Sequence, residues 1–204
     1  MSPRDWSSRG LVPTTVQSIH FFAIADEAYV AERAWERAVL DECPFHPAGG
    51  CGVTGHGSYP RVRPAGARVA RFWCSVAGQS ISLLPAFLAS RLSGALDEVE
   101  AVVGAVESAA SVAAAADALR PADVDDAVTS IAAARWVRRR MRPIRAALLA
   151  LATLLPELAG CAPTLAAIGA RLGVTRVLVA LRALARSHLG SLSPPLGLCA
   201  RGGR

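Results

Sequence analysis

The sequence predicts a mostly α protein in which a small β segment precedes a helical bundle, and three observations predict it. Residues 41–91 are interrupted by Gly49, Gly50, Gly52, Gly55, Gly57, Pro60, Pro64 and Gly66, so only short strands and turns fit between the breakers. From Asp97 onward the apolar residues recur every three or four positions, the period of an amphipathic helix. Alanine dominates that second part, which favours helix wherever packing does not decide. The chain divides accordingly into an N-terminal extension with a helix (1–40), the β segment (41–91), a three-helix segment (92–142) and C-terminal helices with a tail (143–204).

Residues 1–18 are polar and carry Pro3, Gly10 and Pro13, which predicts loose chain. Asp26 offers a cap for a helix over 26–40, with Tyr29, Arg33 and Arg37 along one side. Residues 62–69 read as a hairpin turning at Pro64-Ala65-Gly66 and leading into a strand over 68–74. Strands this short do not make a sufficient core alone, so a metal or the neighbouring helices must hold them.

Candidate ligands for such a metal lie within the β segment. Cys43 and His46 are two residues apart, Cys51 follows, and Cys74 comes after another strand-turn-strand. Structural zinc takes four sulfur or nitrogen ligands in a tetrahedron, commonly with short spacing inside a pair. Ala77 occupies the place where a second Cys-x2-Cys pair would have its partner, so the fourth ligand has to be His46 or His56. The other reading makes Cys51 and Cys74 buried apolar thiols with no metal. Five cysteines in a chain of 204 residues point to thiols or metal ligands rather than a disulfide scaffold.

Charge separates the two halves. Residues 1–126 hold ten arginines against fifteen acidic residues, a net of −5, while residues 127–204 hold twelve arginines against Glu157 alone, a net of +11. A polyanion would meet the second half first. All the basic residues are arginines, whose planar fork suits phosphates and guanine edges. Five of these twelve arginines lie on the third predicted helix of the bundle, which follows an acidic linker at 123–126. Ile131, Ala134, Val137 and Met141 point inward there, while Arg135, Arg139 and Arg142 share another face flanked by Arg138 and Arg140. Three short helices ending in an arginine-rich one read as a helix-turn-helix, in which Thr129, Ser130, Arg135, Arg138, Arg139 and Arg142 meet duplex DNA. Tyr59 between turns, followed by Arg61, adds a second candidate contact through base stacking and a guanidinium on phosphate. Solvated arginines around a ribbon plug are the alternative.

Past Pro143, residues 144–155 predict an apolar helix, and two amphipathic helices over 164–172 and 174–189 meet at Gly173. Arg171, Arg176, Arg182 and Arg186 add positive surface there. The stretch 146–155 is too short to span a bilayer, and the first twenty residues lack the continuous apolar region of a secretory signal, so we expect a cytoplasmic chain without a membrane partner.

The combination resembles the N-terminal portion of bacterial transposases and their short, catalytically empty relatives, in which a zinc ribbon precedes a helix-turn-helix. The matching pieces are Cys43-Pro-Phe-His46-Pro with Cys51, His56-Gly-Ser-Tyr59-Pro-Arg61, and Arg71-Phe-Trp-Cys74 followed by Ser80-Ile-Ser-Leu-Leu-Pro85. The alanine-rich run 113–119 and the helix end Arg135-Trp136-Val-Arg-Arg-Arg140 extend the resemblance to about residues 41–142. It implies Cys43, Cys51 and Cys74 as zinc ligands and residues 129–141 as the helix in the DNA groove. Ala77 and the acidic linker depart from the pattern. Transposase chemistry needs clustered carboxylates to hold two metal ions, and after Asp126 only Glu157 remains, so we expect no enzyme. The expected role is a noncatalytic DNA-binding protein. The rivals are a helical protein-interaction module, with the stripe 99–106 or 148–155 as its subunit interface, and a degenerate transposase fragment that does not bind DNA; self-association is a further expected partnership.

Overall fold

The computed structural model describes residues 15–22, 24, 26–119 and 127–198, with the side chains of residues 15 and 127–130 outside that set. Strand β1 (Thr15–His20) precedes a short helix α1 (Asp26–Ala31) and a 3-10 turn (Ala34–Glu36). Strands β2 (Val53–Pro60), β3 (Arg68–Cys74) and β4 (Gln79–Pro85) follow, then helices α2 (Leu96–Ser108), α3 (Val112–Ala118), α4 (Ala127–Leu154), α5 (Leu165–Leu172) and α6 (Val177–Leu184). The chain is thus mainly helical, with an N-terminal four-stranded mixed sheet ahead of a helical bundle, as expected.

The sheet runs β1-β4-β3-β2. The β2–β3 hairpin turns where proline and glycine predict it, with Gly66 at φ 79° and the Ala67 amide donating to the Pro64 carbonyl. β1 is a finding the polar N-terminus concealed: Thr15 to His20 pair in parallel with Ser80 to Pro85. Its β-branched Thr15, Val16 and Ile19 suit a strand, but only the distant β4 supplies the partner edge. The predicted 26–40 helix ends early because Arg33 adopts a left-handed backbone, φ 52°. Tyr29 is fully buried among Phe22, Trp35 and Phe87, and its hydroxyl donates to the Arg68 carbonyl.

The helical half centres on one long element. Pro143 removes an amide donor and would be expected to end a helix, yet α4 continues through it to Leu154. The domain boundary read at 142/143 therefore falls inside a helix. Val137, Met141, Ile144, Ala147, Leu148 and Leu151 form one buried stripe across the proline. Each large apolar side chain contributes about 1.5–3 kcal/mol on burial, so together they outweigh the ~3 kcal/mol that an internal proline costs. Ile131, expected inward, is 69% exposed, because the buried stripe begins at Ala134.

Two carboxylates on α2 fix the last helices. Glu107 accepts from the amides of Leu165 and Ala166 at the start of α5, and Glu100 from those of Val177 and Leu178 at the start of α6. The seven-residue spacing places both on one side of α2, where each complements a helix N-terminus. Thr164 caps α5, and Gly173, φ 66°, closes it.

Arg182 joins the halves. Read from sequence as positive surface, it is fully buried and donates to the carbonyls of Ala86, Leu88, Pro195 and Leu196. Burial pulls the guanidinium down to about 9, which still leaves it charged at neutral pH. Ser90 also bonds the tail carbonyls of Pro195 and Gly197. A Cβ at Gly197 would collide with the Leu192 carbonyl, so the tail closes only with glycine there. The Leu198 amide donates to the Leu189 carbonyl at 2.8 Å; residues 199–204 lie outside the described set.

Candidate metal centre and arginine groove

The metal candidates converge. Sulfur atoms of Cys43, Cys51 and Cys74 and a ring nitrogen of His46 all lie within 4.8 Å of one another. A tight turn makes the first pair, in which the His46 amide donates to the Cys43 carbonyl at 2.9 Å. Gly49 and Gly50, both at φ 82°, then swing the chain back to Cys51, a path that side chains rarely tolerate. Cys74 ends β3 directly opposite Val53, which brings Cys51 and Cys74 together through sheet register.

The distances suit a tetrahedral ion. His46 Nδ1 is 3.6 Å from Cys43 Sγ and 3.5 Å from Cys74 Sγ. Zinc with ordinary Zn–S and Zn–N bonds separates such atoms by about 3.6 Å. Cys43 and Cys74 are buried, Cys51 and His46 half-buried, and Ile81, Phe45 and Phe72 pack around them. Four such groups in an apolar wall could fill a tetrahedral coordination shell, the arrangement of structural zinc sites. Burial by itself would raise the Cys43 thiol, but hydrogen bonds to His46, the Phe45 amide, Cys51 and Cys74 bring it down to about 6. Burial and the two neighbouring sulfurs push Cys51 up to about 11. Deprotonation of one thiol therefore opposes deprotonation of its neighbours.

Of the two candidate histidines the structure brings only His46 to the sulfurs. His56 is exposed on β2, its ring tilted against Trp73. Ala77 has a part even without a thiol, since its amide donates to Cys74 Sγ at 3.4 Å. Such outer contacts orient a ligand and stabilise its thiolate.

The arginines gather separately. Arg135, Arg138, Arg139, Arg142 and Arg145 on α4, with Met141, Val106 of α2 and Val112 of α3, line a groove of about 450 Å³. All five arginines are exposed, and none has a carboxylate partner among the described residues. Arg145, past the proline, was missed because the helix was read as ending there. Arg140 leaves this face and stacks on Trp136, its guanidinium carbon 3.8 Å from the ring centre. Thr129 and Ser130 occupy the first turn of α4, their side chains outside the described residues, as is the linker 120–126.

Other predicted contacts are taken up by the fold. Arg61 donates from one guanidinium nitrogen to the carbonyls of Ala89 and Leu92, which ties that side chain to the start of the helical half. Tyr59 is half-buried against the core around Tyr29 and Phe87, the ribbon plug of the alternative reading. Arg176 pairs with Asp26 and Asp97, and Arg186 stacks on Phe21. Among the described residues, no helix is long and apolar enough to cross a membrane. What is established is a small mixed sheet followed by several helices, with a Cys/His cluster suited to a metal. No family model, curated protein or solved structure matches the chain, and no homology ties it to transposases.

Proposed function

We propose that the protein is a noncatalytic DNA-binding module in which Cys43, His46, Cys51 and Cys74 hold one structural zinc and the α4 arginines dock on duplex DNA. The observation that carries the reading is the groove: five exposed guanidinium groups converge on it without a carboxylate partner among the described residues. Arginine released from internal pairing is available to phosphate, and each contact frees counterions. The zinc, when bound, supplies positive charge that keeps its ligands as thiolates and crosslinks the sheet corner. The fold supplies the rest: the buried stripe of α4 presents the arginines on a rigid element.

Fluorescence anisotropy of the full chain with a labelled 20-base-pair duplex at 50 mM salt tests this. We expect saturable binding that Arg135→Gln with Arg139→Gln weakens at least tenfold. Folded protein that leaves the duplex unbound overturns the reading. A second reading, self-association through the same face, is favoured by exposed Ile131 and Leu149, which share the helical side of the arginines. It predicts dimers by light scattering without DNA, lost in Leu149→Asp.

A further inference from the structure

Resting on the DNA-binding reading, we infer that the groove seats the sugar–phosphate ridge of the duplex rather than sending α4 between base edges. A recognition helix reads bases when it protrudes and its first turns enter the major groove. Here the arginines lie in the middle of α4 and face a concavity walled by Val106 and Val112 at the α2–α3 corner. A concave surface accepts a convex one, and the convex feature of a duplex is its backbone.

The side chains agree with that occupant. Arg135, Arg138, Arg142 and Arg145 recur at three- and four-residue spacing, so they form one stripe about 15 Å long along the axis. That length covers several consecutive phosphates at the 3.4 Å rise per strand. The apolar floor of Val106, Val112 and Met141 has no hydrogen-bonding side chain with which to tell one base from another, and instead matches the carbon faces of deoxyribose. Phosphate contacts position a protein without carrying sequence information.

The test compares the full chain on duplexes of unrelated sequence, AT-rich, GC-rich and mixed, across a salt series. We expect affinities equal within about threefold and a log–log salt slope near −4, from about −0.9 per phosphate neutralised. Arg142→Gln should weaken all three duplexes alike and flatten the slope by about 1; Arg33→Gln, far from the groove, should change neither. A preference above tenfold for one sequence, or an Arg142→Gln loss confined to one duplex, overturns the inference while leaving DNA binding intact. Absence of binding to every duplex overturns the DNA-binding reading itself.

Discussion

The sheet corner and the helical half solve the same problem by different means. Around the metal ligands the fully or nearly buried apolar set is Cys43, Cys74 and Ile81, with only half-buried neighbours about them. The helical half buries a continuous cluster that includes Leu96, Val103, Val137, Ile144, Leu151, Ile168 and Leu181. Hydrophobic burial is enough where long amphipathic elements meet, whereas glycine-broken turns expose too much backbone to form a core unaided. The comparison locates where a metal could brace this chain: the glycine-broken corner that gathers Cys43, His46, Cys51 and Cys74.

The comparison breaks most visibly at the ligands. Apparent binding of a structural zinc is on the order of 10 kcal/mol, so Cys74→Ala and His46→Ala should each lose one equivalent of zinc from protein purified without added metal. His56→Ala should keep it. Near-UV circular dichroism should flatten in the first two variants while the helical signal at 222 nm largely persists. Metal retained in His46→Ala would show that the fourth ligand is not the one the geometry selects.

Arg182→Ala comes next, because it strands four backbone carbonyls in the seam between the halves. A loss of about 3–5 kcal/mol is expected from denaturant unfolding, with Arg182→Lys recovering little, since one ammonium cannot span the fork. Leu151→Ala should cost about 2–5 kcal/mol by emptying part of the helical core, and zinc content should not change. A coupled loss of zinc in that variant would mean that the two regions fold as one unit. The smallest effect is expected from Glu100→Gln, which weakens the cap on α6 by about 1 kcal/mol in thermal unfolding.

Much of this was legible in the residues. Breakers at Gly49, Gly50, Pro64 and Gly66 announced the turns, and Val99, Val102 and Val103 announced the buried side of α2. The metal set was legible as a group of candidates but not as a choice, because spacing treats His46 and His56 alike. Sheet register and a left-handed glycine pair decided it. Pro143 misled because local backbone rules carry no information about a buried stripe of α4 packed against α2 and α3. Arg182 misled for the related reason that charge alone says exposed; its place within Val177-Leu-Val-Ala-Leu-Arg182-Ala-Leu184 was the signal that something buried must satisfy it.

By itself the sequence determined the class of each half, the thiol-rich corner and the excess of arginine, since these follow from local propensity, periodicity and charge. Tertiary structure alone decided which histidine faces the sulfurs and, among the described residues, which arginines line the groove and which are spent on the fold. Those outcomes depend on distances between residues far apart in the chain, such as the 28 positions from His46 to Cys74 and the 96 from Ala86 to Arg182. Spacing along a chain does not fix such distances; only the packing of strands and helices against one another does.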